Sequence, residues 1–470
     1  MDRLKILIHW FRRDLRLTDN TALAAAGREA AVVPFYVLDP ERVRMDGHGP
    51  AYWQFHLESL RELSAKLEKQ GSRLILREGA LLAEMERLAA ETGANGIFFN
   101  RLYEPASVDQ EQKVAGLGRH LGIEVRTFKD YVLHEGGEVR TGSGSAYTIF
   151  TPYAKKWETL TKARPVKAIR CSVPPILKKL RTMRLPSLGR LGMSSALRIP
   201  AAGEKAGLDL LRRFVRERLA GYDQTRDFPA VDGTSRLSPH LCHGTVSIRS
   251  VYHAALAAAA KGTPRARRAG GVYLKELVWR EFFSQVLAQF PFVGRGCFRP
   301  QYDRLKWRNR EDWFLAWREG RTGYPLVDAA MRQLRETGWM HNRLRMMASM
   351  FLTKDLLIDW RWGERYFMEK LADGDMASNN GGWQWSAGTG TDAAPYFRIF
   401  SPARQSRRFD PGGVFIRQWL PGLVPLSAAE IHAPWLQKRL PLAKLDFPEP
   451  VVNHEVQRQK TLDMFDRINR

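Results

Sequence analysis

The densest group of chemically useful side chains lies between residues 370 and 402, which read KLADGDMASNNGGWQWSAGTGTDAAPYFRIFSP. Asp373 and Asp375 flank a glycine, and Asn379 precedes a pair of glycines and two indoles. A glycine-rich backbone beside carboxylates, amides and indoles indicates close approach to a large aromatic ligand. The carboxylates could instead ligate a metal, but no histidine or third carboxylate stands at ligand spacing, so we predict no metal site.

A second group reads GGVYLKELVWREFF from residue 270 to residue 283. In a helix, Glu276, Trp279 and Arg280 share one face, opposite a stripe of apolar residues. A carboxylate, an indole and a guanidinium side by side suit a planar ligand that forms hydrogen bonds. A surface salt bridge beside a half-buried tryptophan is the alternative, and such a pair contributes little to stability.

Two shorter segments add further polar groups. Residues 338–347, GWMHNRLRMM, place Asn342 and Met346 one helical turn apart with Arg345 beside them. This spacing predicts a pocket with one adaptable wall, and a packed helix end is the alternative. Residues 232–239, DGTSRLSP, combine a turn, hydroxyls and an arginine, which suits a phosphate; an ordinary N-cap turn is the alternative.

The elements that must position these groups are of two kinds. Before residue 130, short apolar runs alternate with amphipathic stretches such as 51–70, which predicts parallel strands joined by crossover helices. After residue 204, the apolar spacing is helical almost throughout. The five predicted strands cover residues 4–10, 31–38, 73–77, 96–100 and 124–128.

The chain is therefore expected to contain two domains and a linker. Residues 1–130 are predicted to form a Rossmann-like α/β domain with a five-stranded parallel sheet. Residues 131–203, punctuated by prolines, are predicted to be an irregular interdomain linker. Residues 204–470 are predicted to form an all-α domain.

Composition narrows the class of partner. Among 470 residues, 74 Lys and Arg face 50 Asp and Glu, a formal charge of +24. That excess favours a polyanionic partner such as nucleic acid, although a general preference for arginine would produce it too. Three cysteines exclude a disulfide framework and fit a reducing compartment. With no long apolar run and no secretory signal, we expect a cytoplasmic protein that does not contact membranes. The sequence does not reveal the oligomeric state, and we assume a monomer.

Five segments, in order along the whole chain, resemble signatures of the photolyase/cryptochrome family. They are WFRRDLRLTDN near the N-terminus, GTSRLSP, KELVWREFF, WMHNRLRM, and NNGGWQW followed by TGTDAAPYFRIF. The resemblance implies an N-terminal antenna domain and a helical C-terminal domain that holds FAD. Members of this family can also carry an antenna pigment. The resemblance leaves open whether this chain binds methenyltetrahydrofolate, 8-hydroxy-5-deazaflavin or no such pigment. We expect any antenna contacts near residues 100–105, NRLYEP.

Carried over position by position, the resemblance implies a set of FAD contacts. Arg345 would pair with Asp373, and Asn379 would face N5 of the flavin, where an amide resembles the repair enzymes. Three tryptophans, Trp383, Trp360 and Trp307, match the family's electron-transfer chain, with core packing as the alternative. The implied FAD contacts are Tyr222, Thr234, Ser235, Arg236, Leu237, Ser238, Tyr273, Arg280, Arg345, Asp373, Asp375 and Asn379.

On the substrate side, the resemblance implies light-driven repair of cyclobutane pyrimidine dimers in UV-damaged DNA by excited FADH⁻. Met346 stands where (6-4) photolyases carry histidine, which favours the cyclobutane lesion. A (6-4) photolyase, a cryptochrome photoreceptor and a flavin-free DNA-binding protein are the alternatives. The implied lesion contacts are Glu276, Trp279, Asn342, Met346 and Trp385, with Glu276, Asn342 and Met346 catalytic, and Arg226, Arg343 and Gln405 would contact the flanking DNA.

Overall fold

The N-terminal domain is built on a parallel five-stranded sheet, in a computed structural model that describes residues 4–437 and 441–469. All five predicted strands are confirmed. The first begins two residues later than predicted, because Leu4 is exposed and lies outside the sheet. The third, predicted over 73–77, begins at Ile75 and ends at Glu78. The strands are β1 (Ile6–Trp10), β2 (Ala31–Leu38), β3 (Ile75–Glu78), β4 (Gly96–Asn100) and β5 (Glu124–Phe128), in the order β3-β2-β1-β4-β5.

Crossover helices cover both faces of this sheet. Parallel strands require such connections, since a short hairpin cannot join them. Successive residues of β1, Leu7 and Ile8, are fully buried and enter separate apolar clusters on the two faces. The helices are α1 (Thr21–Glu29), α2 (Pro40–Met45), α3 (Pro50–Lys69), α4 (Leu81–Thr92) and α5 (Pro105–Leu121).

The segment between the domains contains a helix that the sequence did not predict. Helix α6 (Phe150–Thr159) buries Phe150, Tyr153, Ala154 and Trp157, which is the spacing of an amphipathic helix. After α6, the chain has only short 3₁₀ turns up to residue 202. This part runs along the N-terminal sheet, where Val32 donates its backbone N–H to Ser172.

The C-terminal domain is helical, and the described part of it contains no strand. The prediction of an all-α second domain is confirmed. Its helices are α7 (Gly203–Glu217), α8 (Tyr222–Thr225), α9 (Ser238–Cys242), α10 (Ile248–Lys261), α11 (Pro264–Gln289), α12 (Glu311–Glu319), α13 (Pro325–Thr337), α14 (Asn342–Met350), α15 (Trp360–Lys370), α16 (Met376–Ala387), α17 (Pro402–Phe409), α18 (Val414–Trp419) and α19 (His454–Asn469).

A buried ionic cluster joins the two domains. Arg16 donates to Asp130 at 2.6 Å, and Arg249 of α10 donates to the same carboxylate at 2.6 Å and to Asp19 at 3.0 Å. All four side chains are almost completely buried, so removing one would leave an uncompensated charge. Arg16 and Asp19 belong to the N-terminal signature segment, which here fixes the domain interface.

Candidate active site

A carboxylate on helix α11 is held in place by the arginine that follows α8. Glu276 accepts a 2.7 Å hydrogen bond from Arg226, whose guanidinium also lies 5.4 Å from the centre of the Tyr222 ring. Glu276 and Arg226 are each about a quarter exposed, so the pair faces a partly open space. As a carboxylate paired with a cation, Glu276 accepts hydrogen bonds; donating one would require a proton.

The side chains predicted to contact flanking DNA lie next to this pair. Arg343 donates to Asp227 at 2.7 Å, and the Nε atom of Arg226 lies 3.9 Å from the same carboxylate. The Arg343 guanidinium also covers the Phe409 ring at 4.4 Å. Phe409 and half-buried Gln405 are one turn apart on α17. The structure thus places Arg226, Arg343 and Gln405 in neighbouring elements.

Helices α14 and α16 place the other lesion-side residues. Asn342 is exposed and Met346, one turn later on α14, is half-buried. Trp385 of α16 is also half-buried. The two helices are joined by a 2.7 Å hydrogen bond between the hydroxyls of Ser349 and Ser386, the residue after Trp385. This hydrogen bond fixes α14, which carries Asn342 and Met346, against α16, which carries Trp385.

The N-terminus of α16 is an electrostatic centre that bridges the two domains. Asp375 caps the helix by accepting from the backbone N–H of Ser378 at 2.8 Å, and it accepts from the Tyr131 hydroxyl at 2.5 Å. Burial alone would raise the pKa of Asp375, but the guanidiniums of Arg13 and Arg280 hold it below its usual value. Asp375 is therefore a fixed anion at neutral pH.

The predicted pair between Arg345 and Asp373 is present. One terminal nitrogen of Arg345 donates to both oxygens of Asp373, at 3.0 and 2.7 Å, and its Nε donates to the Met340 carbonyl at 2.9 Å. Asp373 is 5% exposed, whereas a quarter of the Arg345 side chain is exposed. The guanidinium thus orients a buried carboxylate.

Among the described residues, helix α16 carries a hydrogen-bond acceptor without a donor, on Asn379, next to unoccupied space at Gly382. The Nδ2 atom of Asn379 donates to the Glu364 carbonyl at 3.0 Å, and within the described residues no donor reaches its Oδ1 atom. One turn later, a Cβ atom built on Gly382 would meet nothing within 4 Å. A flat ring with an N–H edge fits this arrangement, so these residues suit a flavin.

Asn380 connects α16 to α15 and to the segment after α11. It donates to the Glu364 carboxyl at 2.8 Å and to the Val293 carbonyl at 3.0 Å. Burial raises the pKa of Glu364 to about 7. Sequence reasoning missed Glu364, because it lies on α15 with nothing nearby in the sequence to relate it to Asn379.

The segment predicted to cradle phosphates is a turn between α8 and α9. Arg236 has a φ of +52° and pairs with Asp232 at 3.2 Å, and its guanidinium lies 5.1 Å from the Trp339 ring centre. Thr234 and Ser235 are half-buried, Ser238 is exposed and Leu237 is buried. The arginine is thus at the surface of the turn.

Two tyrosines and an arginine implied as FAD contacts are packed within the domain. Tyr222 and Tyr273 are buried with their rings edge to face at 5.2 Å. Arg280 donates to the Tyr131 carbonyl at 2.9 Å and stacks its guanidinium 4.1 Å from that ring centre. Tyr131 and Arg13 were missed as site residues, because they reach Asp375 from the linker and from the N-terminal domain.

The three tryptophans implied as an electron path run from the interior outwards. Trp383 and Trp360 are 2% and 0% exposed, whereas Trp307 is half-buried at the edge of the same apolar cluster. The Trp383 ring lies against Gly363, where an added Cβ would meet it at 2.0 Å. Gly363 is one turn from Trp360 on α15, so these two indoles belong to neighbouring positions.

A separate pocket lies at the carboxyl ends of the strands in the N-terminal domain. Ligands of open parallel sheets bind at this edge, where the strand order reverses, here between β1 and β4. Leu102 and Glu104, from the segment 100–105, line it. Its lining also includes Arg13, Trp53 and His48, each with a buried nitrogen that has no partner among the described residues.

The described residues give two further findings. None of the helices they form is both long and apolar enough to cross a membrane. They also contain no cluster of three or more histidines, cysteines and carboxylates that could hold a metal ion.

Comparison with known proteins identifies the class. Residues 7–171 match the model for DNA photolyase, and residues 273–467 match the model for the FAD binding domain of DNA photolyase. A deoxyribodipyrimidine photo-lyase of Escherichia coli is 41% identical, with 97% of this chain and 98% of that protein covered. One from a Synechococcus species is 38% identical, with 98% and 96% covered. The chain belongs to the DNA photolyase family.

Solved structures agree with this assignment. A bacterial class III photolyase from Agrobacterium tumefaciens has a TM-score of 0.92 at 36% identity and covers 100% of this chain and 98% of its own. A Sulfolobus tokodaii photolyase with two FAD molecules, which imply a novel light-harvesting cofactor there, has a TM-score of 0.84 at 34% identity (98% and 100% covered). A Synechocystis cryptochrome has a TM-score of 0.90 at 29% identity (99% and 100% covered).

Proposed function

We propose that this chain is a light-driven DNA-repair enzyme that splits cyclobutane pyrimidine dimers with FAD as its cofactor. Its relatives over the full length are deoxyribodipyrimidine photo-lyases, and its C-terminal half matches their FAD binding domain. The observation that carries the proposal is on α11, where Glu276 is oriented by Arg226 beside Trp279 at a partly open surface. This surface adjoins the residues that suit a flavin.

When bound in its reduced form, FAD supplies, on absorbing near-UV or blue light, the electron that splits the cyclobutane ring and then regains it. The task of the protein is to hold cofactor and lesion in fixed positions. Asn379 offers its free amide oxygen to a ring N–H, and Gly382 leaves room for a flat ring. Asp373, oriented by Arg345, is placed to accept hydrogen bonds from hydroxyls of the cofactor.

The lesion must leave the duplex stack to reach these groups, and photolyases are among the enzymes that take a damaged base out of the helix. We assign Trp279, Trp385 and Met346 as apolar walls for the displaced dimer. Glu276 accepts a hydrogen bond from a pyrimidine N–H. Asn342, whose side chain is exposed, can donate to a carbonyl oxygen on which negative charge develops.

Three tryptophans provide a path by which an oxidised cofactor is restored. Trp307 is accessible from the surface, and Trp360 and Trp383 continue into the core. The Nε1 atom of Trp383 has no acceptor among the described residues. When Trp383 gives an electron to the cofactor, no neighbouring acceptor takes its proton, so the oxidised indole can be refilled by an electron from Trp360.

The pocket of the N-terminal domain is proposed as the site of a second, light-harvesting chromophore. Its unpartnered nitrogens on Arg13, Trp53 and His48 suit a planar pigment with several acceptors. Methenyltetrahydrofolate and 8-hydroxy-5-deazaflavin both have that character. The Sulfolobus tokodaii photolyase supports a second cofactor in this family.

The proposal extends to the working state of the protein. We infer that residues 1–130 serve as the antenna domain, 131–203 as linker and 204–470 as the catalytic domain. The enzyme acts as a monomer on UV-damaged DNA in the cytoplasm, without a membrane or a metal. Three free cysteines support a reducing compartment, and the charge of +24 supports a DNA partner.

Two defined duplexes test this function, one with a single thymine cyclobutane dimer and one with a single (6-4) photoproduct. Reduced protein under blue light is expected to restore the first duplex and leave the second unchanged, measured by chromatography of the digested strands. Repair of the (6-4) lesion alone would assign that specificity. Loss of neither lesion by FAD-loaded, reduced protein would favour a cryptochrome photoreceptor.

A further inference from the structure

The ring of Trp279 is covered on one face by a residue from the linker. The Phe150 and Trp279 ring centres are 3.6 Å apart and the planes differ by 5°. The two rings are thus in van der Waals contact over their whole overlap. Neighbours on α11 approach the indole at other angles, Phe282 edge to face at 5.7 Å and Phe283 tilted at 5.5 Å.

Contacts between helices α6 and α11 hold Phe150 in this position. Phe150 is the first residue of α6 and is 5% exposed, with a second contact to the Phe282 ring at 5.8 Å. Two turns later, Trp157 donates its indole N–H to Glu281 of α11 at 2.5 Å. Because this hydrogen bond ties α6 to α11 on the C-terminal side of the stack, a shift of the whole helix away from Trp279 would break it.

A third segment fixes the backbone of Phe150. The first N–H groups of a helix have no partner within it, and that of Phe150 donates to Asp392 at 3.2 Å. Asp392 lies in the loop after α16 with a φ of +42°, a conformation that aspartate and asparagine adopt more readily than most residues. The same loop is held against the end of α16, where the backbone N–H of Ala394 donates to the Trp385 carbonyl at 3.2 Å.

We propose that Phe150 is a positioning residue for lesion recognition, which sets the plane of the Trp279 ring and leaves one face for a displaced base, with Asp392 as its anchor. This proposal rests on the proposed function. The linker then takes part in lesion recognition through Phe150, although the side chain of Phe150 is buried and does not itself contact DNA. It also ties the two aromatic walls, Trp279 and Trp385, to a single loop.

A double-mutant cycle tests the proposal through affinity for DNA. Phe150→Leu is expected to weaken binding to a dimer-containing duplex by about three- to ten-fold. Affinity for the undamaged duplex at the same salt should stay within about two-fold, and Phe150→Tyr, which keeps the ring, should bind as the parent does. In a Trp279→Leu background, Phe150→Leu should cost less than about two-fold. An equal loss in both backgrounds, or an equal loss for undamaged DNA, would overturn the proposal.

A spectroscopic readout separates positioning from general stability. In protein labelled with 5-fluorotryptophan, the ¹⁹F signal that disappears in Trp279→Phe reports this indole, and Phe150→Leu should shift it while leaving most of the others in place. An unchanged signal would contradict the proposal. If the parent did not distinguish damaged from undamaged DNA, the proposed function would fail, whereas this shift would still report the contact.

The anchor is tested by a conservative pair, which also serves if Phe150→Leu does not fold. Asp392→Ala removes the acceptor and should weaken dimer binding about two- to three-fold, a small part of the contribution of a hydrogen bond, because the contact acts on DNA only through Phe150. Asp392→Asn keeps an acceptor and tolerates positive φ, so it should restore the parent affinity. Loss in both variants, or in neither, would overturn the anchoring role.

Discussion

Replacing Asp373 with asparagine tests the cofactor side of the site in isolation. The carboxylate is 5% exposed and accepts from Arg345 at 2.7 and 3.0 Å. Asparagine has nearly the same size and keeps one acceptor, so the change removes the charge and one of the two contacts with Arg345. It converts a charge-assisted hydrogen bond with the cofactor into a neutral one.

The expected magnitude follows from that conversion. Hydrogen bonds to a charged group contribute about 1.5–3 kcal/mol, against about 1 kcal/mol for neutral pairs. A loss of about 0.5–2 kcal/mol corresponds to roughly two- to thirty-fold weaker binding of FAD. Titration of the apoprotein with FAD, followed by flavin fluorescence, measures this directly.

Glu204→Gln is the matched control. Glu204 is also buried, at 4% exposure, and pairs with a partly exposed cation, Lys66, at 2.9 Å, but it lies at the domain interface. It should lower the stability of the protein without changing FAD affinity. The assignment of Asp373 would be refuted if Asp373→Asn bound FAD within two-fold of the parent, or no worse than the control.

Three further perturbations follow from the structure. Trp383→Phe should abolish photoreduction of oxidised FAD, with Trp10→Phe in the other domain as control, and normal photoreduction would refute the electron path. Glu276→Gln should reduce the preference for damaged over undamaged DNA about five-fold, and an unchanged ratio of dissociation constants would count against it. Burial lowers the pKa of His240 to about 4, so its contribution to stability, present above pH 6.5, is lost as pH falls towards 4. His240→Gln should reduce that loss, by at most about 3 kcal/mol, and identical acid unfolding curves by circular dichroism would contradict this.

The sheet and the helical domain could be predicted because their information is local. Short apolar runs located all five strands. The starts of the first and third strands were each two residues too early, since hydrophobicity alone does not reveal where a strand enters the sheet. Helical spacing also put Glu276, Trp279 and Arg280 on one helix. Pairing of Arg345 with Asp373 came from the family resemblance, and the geometry agrees with it.

The contacts that the sequence could not provide all join distant segments. Phe150 meets Trp279 across 129 positions, and Tyr131 reaches Asp375 across 244. The linker was predicted to be irregular because its prolines and charges dominate the pattern, which concealed helix α6. The partner of Asn379 on α15 is a backbone carbonyl, and a backbone group leaves no trace in residue type.

The central claim is that light drives an electron out to the dimer and back, so the enzyme catalyses repair without consuming reductant. The direct test counts dimers repaired per reduced flavin under anaerobic blue light, with the flavin absorbance recorded throughout. We predict many dimers lost per flavin, none in the dark, and no change in the reduced-flavin spectrum. Loss of only one dimer per flavin with oxidation of the cofactor, or dimer loss in the dark, would contradict the account.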